Sequence, residues 1–174
     1  MVSFDELLAQ GTIARFPATE KEKRRLYLEF HEHAHQEDLA IAQLLKERSH
    51  RWSVTTAYYA MLNATKLYLA KHHNLAITER SHFATRIALE HVLRDDRVRR
   101  RALELLAKAE REFESFTLPN KSVATLPLLL NAAREKREKA SYYADPQPQR
   151  RPQDLDSFFK SIVEPFLAIL KELG

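Results

Sequence analysis

The amino-acid sequence predicts an all-α protein, an antiparallel bundle of five to six helices, and three observations carry that prediction. Only two glycines occur, Gly11 and Gly174, whereas tight β-hairpins, phosphate-cradling loops and dinucleotide turns need glycine at positive φ. Apolar residues recur at helical spacing along most of the chain. The breaks between these stretches are polar or marked by proline. A chain of 174 residues fits one domain over 1–174 with a single core.

A short opening segment from Phe4 to Leu8 ends at Gly11 and Pro17, so residues 1–18 read as an N-terminal leader. Thr19-Glu20-Lys21-Glu22 has the form of a capping box. Behind it, Leu28, His31, His35, Leu39, Ala42 and Leu45 predict a helix to about Glu47. Ser49 to Trp52 reads as a turn, followed by a helix from Trp52 to Lys71 that His72-His73-Asn74 ends. Its small residues Ala57, Ala60 and Ala64 suit a close helix neighbour. A third long helix starts near Ser81 and carries Phe83, Ile87, Leu89 and Val92. Asp95-Asp96 opens a charged helix to about Phe116, with acidic groups at its positive end. Thr117-Leu118-Pro119-Asn120 breaks the chain before a helix over Leu126 to Tyr143. The proline-marked stretch 145–153 reads as an extended linker. The last helix, 154–173, is capped by Asp154 or Asp156 and bent at Pro165. No segment reads convincingly as a strand.

Composition narrows the chemistry. The absence of cysteine removes disulfides, thiolate catalysis and thiolate metal sites, and fits a reducing cytoplasm. No apolar run approaches the roughly 20 residues of a membrane span, and the first residues carry no signal-peptide pattern, so a cytoplasmic protein without membrane contact is expected. Lysine and arginine exceed aspartate and glutamate by 28 − 24 = 4, a bias that permits a nucleic-acid partner without demanding one.

The predicted helix after Trp52 contains Thr56-Ala57-Tyr58-Tyr59-Ala60-Met61-Leu62-Asn63-Ala64, which resembles the signature helix of prokaryotic HEPN proteins. Asp38-Leu39 with Ala42 resembles that family's first long helix, and Ser81-His82-Phe83 resembles the histidine after its second. Arg134-Glu135-Lys136-Arg137, followed by Tyr142-Tyr143-Ala144-Asp145, resembles its arginine-rich late helix. The resemblance spans most of residues 4–170. It implies a HEPN-like bundle, a homodimer, and a toxin–antitoxin or defence context with a minimal nucleotidyltransferase partner; no cofactor is implied. Active members carry an arginine and, after four to six spacer residues, a histidine, and are thought to cleave RNA through its 2′-hydroxyl. Here Arg137 holds the arginine position, but Tyr142 stands where the histidine belongs. A phenol with a pKa of about 10 is a poor proton-transfer group at neutral pH. The motif is therefore degenerate, and the resemblance implies an interaction or nucleotide/RNA-binding module, with Arg134 and Arg137 as the phosphate-holding cations. The alternative is an active, metal-independent HEPN endoribonuclease whose catalytic candidates are Arg137, Tyr142 and His82.

Each candidate has a plainer reading. Arg137 lies on the seam Leu126, Leu130, Ala133, Arg137, Ala140 and can snorkel or pair with a carboxylate. His82 can be a hydrogen-bonded structural histidine, and Tyr58, Tyr59 and Met61 can be core or dimer interface. Arg86 and His91 form a literal Arg-x4-His on another helix, read as chance. Arg97, Arg99, Arg100 and Arg101 alternate with acids and read as a solvated surface. His31-Glu32-x-x-His35 matches a zinc-hydrolase string, with both histidines on one helix face and Glu32 as base. A third ligand and an edge strand are missing from the sequence, so this metal-dependent hydrolase is the second alternative. A histidine-rich helix at a polar seam is the default.

Overall fold

The computed structural model describes residues 2–79, 81–117 and 152–174. The chain folds as an all-α helical bundle with one small two-stranded ribbon. The elements are α1 (Phe4–Ala9), β1 (Ile13–Arg15), α2 (Lys21–Leu44), α3 (His50–His73), β2 (Leu75–Ile77), α4 (Ser81–Val92) and α5 (Asp96–Thr117). After these come α6 (Pro152–Phe158), a π-helical turn (Phe159–Val163) and α7 (Glu164–Leu173). The predicted helix over 126–143 and most of the 145–153 linker lie outside the described residues.

The opening segment belongs to the core. Ser3 and Glu6 form a reciprocal capping box that starts α1, and Leu7 and Ile13 are fully buried. Gly11 turns the chain at φ +73°, a conformation that suits glycine. β1 then pairs antiparallel with β2, Ile13 opposite Ile77 and Arg15 opposite Leu75. The expectation of no strands is thus corrected by two strands of three residues each. Such strands are too short to show a period of two, and tertiary contacts define them: the Ile77 N–H donates to the Tyr27 hydroxyl and the Thr78 hydroxyl donates to the Gly11 carbonyl.

α2 and α3 form a long hairpin. Arg24 donates to the Ala70 and Lys71 carbonyls, His31 meets Asn63, His35 meets the Ala60 carbonyl, and the Ser53 hydroxyl donates to Ala42. The residue numbers in these pairs all sum to 94 or 95, as an antiparallel pairing requires. The start of α2 differs from the predicted capping box. Glu20 is the N-cap residue and makes no side-chain cap bond; its carboxylate pairs with Lys23 instead. α3 begins two residues earlier than predicted, capped by Ser49.

α3 is the centre of the bundle and touches α2, α4, α5, β2, α6, the π turn and α7. The core gathers around Val54, Ala57, Met61 and Leu69 of α3, with Leu89, Leu105, Phe159 and Phe166 from the surrounding helices. Ala57, Ala60 and Ala42 are completely buried, and their small side chains let helix backbones approach closely. The last helix starts at Pro152, where a missing N–H costs nothing because first-turn donors have no helical acceptor; Asp156 therefore lies inside it rather than at its cap. Before Pro165 the helix widens to the π form, the Glu164 N–H donating to the Phe159 carbonyl.

Candidate functional site

Three features of the described residues carry chemistry, and each grows from the α2–α3–α4–α5 packing. The first surrounds His82, near the start of α4. Its Nδ1 shares a 3.0 Å hydrogen bond with the Tyr58 hydroxyl, and Phe113 of α5 stacks on the Tyr58 ring at 4.8 Å. Burial moves the Tyr58 hydroxyl upward, and the Glu110 carboxylate beside it adds to the shift. Burial also lowers His82; Glu110 and Glu114 oppose this while Lys66 reinforces it. Tyr59 closes the outer side and is 40% exposed. Besides Lys66, a nearby cation is Arg86, which faces Glu110 at 3.8 Å. His82 thus engages a phenol, a neutral partner, within an aromatic box. Arg134, Arg137 and Tyr142 lie outside the described residues.

The literal Arg86–His91 pair does not meet. Five helical residues rotate side chains by about 140°, so Arg86 faces α5 while His91 stacks flat on Phe4 at 3.7 Å. The arginine-rich start of α5 is neutralised in part. Asp95 accepts the Arg97 and Val98 N–H groups, Arg99 pairs with Asp96, and Arg101 and Lys108 share Glu104.

The second feature is a polar chain in the α2–α3 seam that the sequence did not reveal. Asn63 donates to Asp38 at 2.9 Å and its amide oxygen faces His31 Nδ1 at 2.9 Å. An amide oxygen can only accept, so His31 carries its proton on Nδ1. His35 likewise donates from Nδ1 to the Ala60 carbonyl. His31, His35 and Asp38 share one face of α2, at i, i+4 and i+7, which was visible in the spacing; Asn63, the partner of His31 and Asp38, lay hidden within the Tyr-Tyr-Ala-Met helix. Glu32 points away and is exposed. Among the described residues no group of three or more His, Asp or Glu side chains is placed to hold a metal ion.

The third feature is the outer face of α2. Leu26, Phe30 and Leu44 are 53%, 65% and 64% exposed, and Ile41 is exposed as well. Leu26, Phe30, His33, Glu37, Ile41 and Leu44 follow one another by three or four residues, so they form a single stripe. α2 buries its other face, including His31 and Ala42, against α3. The inward residues of α2 dominate its helical spacing in the sequence, and the second stripe stands out only once α3 covers the first. No helix among the described residues is long and apolar enough to cross a membrane.

Comparison with protein-family models, with curated proteins and with solved structures finds no match to this chain.

Proposed function

We propose that this chain is a HEPN-type interaction module that acts as a homodimer and holds RNA or a nucleotide without cutting it. The observation that carries the interaction reading is the exposed apolar stripe on α2. Leu26 to Leu44 spans 18 residues, about five full helical turns, so both leucines stand on the same line. The stripe is self-complementary about its middle. In an antiparallel pairing across a twofold axis, Leu26 meets Leu44 of the partner subunit and Phe30 meets the partner's Ile41. His33 then meets Glu37 of the partner subunit. A twofold interface requires this reciprocity, and aromatic and aliphatic anchors amid charge are what such interfaces bury.

The binding rather than cutting reading is supported by the place of Tyr142 in the late Arg-x4 motif and by His82 engaging a phenol. By the same resemblance, the setting is a toxin–antitoxin or defence locus with a minimal nucleotidyltransferase partner. The ribonuclease alternative predicts metal-independent cleavage of RNA that Arg137→Ala abolishes. Uncut transcripts incubated with the purified chain support the binding reading.

Light scattering coupled to size exclusion tests the dimer. The wild-type chain is expected at twice the monomer mass, and the Phe30→Glu/Leu44→Glu double variant at the monomer mass. His33→Glu alone should weaken the dimer by like-charge contact, and adding Glu37→Lys should restore it. A wild-type monomer at every concentration, or a dimer indifferent to all four changes, defeats the proposal.

A further inference from the structure

The ends of α3 and α4 farthest from Tyr58 and His82 border an open surface cavity of about 500 Å³, a size common among small-molecule sites. It is lined by Phe4, Arg15, Tyr68, His73, His91 and Arg94, with Asp95 at its edge. Four of its side chains are basic types, against one carboxylate. That carboxylate is engaged, because Asp95 Oδ1 accepts the Arg97 and Val98 N–H groups at 2.9 Å each to cap α5. Among the described residues, neither Arg15 nor Arg94 lies within 4.0 Å of a carboxylate as an ion pair. Four arginines elsewhere on the surface, Arg25, Arg86, Arg99 and Arg101, each have an acidic partner. Two guanidinium groups against one carboxylate leave the cavity with net positive charge.

The walls are fixed by local structure. Arg15 ends β1 in register with Leu75, which brings it beside the α3 terminus. His73 Nε2 and the Tyr68 hydroxyl share a 3.1 Å hydrogen bond. The Phe4 ring lies parallel to His91 at 3.7 Å and 2°, which supplies a flat apolar wall. His73 feels the field: burial lowers its pKa first, and His72 and Arg94 lower it further.

We infer that this cavity binds a small phosphorylated molecule, its phosphate held between the Arg15 and Arg94 guanidinium groups with His73 as a third donor. Guanidinium matches phosphate with paired N–H bonds, and two guanidinium groups and a protonated His73 against one carboxylate balance a phosphate dianion. The inference does not rest on the α2 stripe or on the proposed RNA contact. A bound phosphate favours the protonated imidazole, so its presence raises the pH at which His73 takes up a proton. The charged and titratable groups facing His73 are Tyr68, His72 and Arg94, with Arg15, His91 and Asp95 across the cavity.

NMR titration of the histidine rings in the full chain tests this, with inorganic phosphate as the probe and sodium chloride at matched ionic strength as control. Phosphate is expected to raise the His73 midpoint by about one pH unit, the effect of an adjacent opposite charge, while chloride leaves it in place. Arg15→Gln/Arg94→Gln, both at exposed positions, should lose the shift; Arg15→Lys/Arg94→Lys should keep part of it. A midpoint unmoved by phosphate, or moved equally by chloride or in the Gln variant, overturns the assignment. Adenosine 5′-monophosphate should compete with phosphate. A short oligoribonucleotide that binds more tightly through the same arginines would assign the site to RNA and overturn the small-molecule reading.

Discussion

His31 is 5% exposed, yet its ring is polar and its sequence setting suggested a metal ligand. Burial holds its pKa down at about 4, with the Asn63 bond opposing and Lys66 assisting the shift. At neutral pH it is a neutral donor. The unfolded chain takes up a proton near pH 6.5 whereas the folded chain resists until about pH 4. Unfolding therefore binds protons between those values, and stability falls as pH drops through that window. The loss for this group is about 3 kcal/mol across the window. His31→Gln offers an amide donor to Asn63 but cannot titrate. Denaturant unfolding at pH 7 and pH 4 should show a smaller acid loss in His31→Gln than in the wild type. Equal losses would mean that another group drives the acid sensitivity. The neighbouring Asp38 shifts upward through burial, which works in the opposite direction and is common to both proteins.

Asn74 shows how a single element boundary is set. It ends α3 in the left-handed region at φ 58°, where glycine is the usual residue. Asparagine tolerates this conformation because its short amide bonds locally, and here Nδ2 donates to the Phe16 carbonyl at 2.8 Å. The same residue's carbonyl accepts the Phe16 N–H, so the helix end also fixes the ribbon. Asn74→Ala combines left-handed strain with a lost bond and should cost about 1–3 kcal/mol by denaturant midpoint. Asn74→Gly loses the bond alone and should cost less. An alanine variant as stable as the glycine variant would remove the conformational argument. His72-His73-Asn74 was readable as a stop, as was Asp95-Asp96 as a start. The ribbon that Asn74 anchors was not, because three-residue strands leave no periodic trace.

At the scale of the whole molecule, burial is unequal. α3 is enclosed on nearly all sides, whereas α2 packs chiefly along α3 and leaves a long apolar stripe open among the described residues. Regions with few buried contacts open more readily than the core. Hydrogen exchange should therefore be slowest in the middle of α3 and faster in α2. If the α2 stripe joins two copies, raising the protein concentration should slow exchange in α2 while leaving α7 unchanged. Concentration-independent α2 exchange would speak against the twofold pairing even if a dimer formed elsewhere.

Glycine scarcity, helical spacing and polar or proline breaks were enough to reveal an all-α bundle and most helix limits, since these are local properties of short stretches. Candidate chemistry was legible only as residue types at helical intervals: the histidines of α2, the tyrosine pair of α3 and His82. Which of them meet was decided by packing. Asn63 and the Ala60 carbonyl turned two potential metal ligands, His31 and His35, into hydrogen-bond donors, and Tyr58 took up His82. Arg15, His73, His91 and Arg94 are scattered over 80 positions and share no motif. Their convergence on one cavity required the ribbon, the end of α3 and the α4–α5 corner to be built first, because electrostatic fields depend on distances in space rather than along the chain.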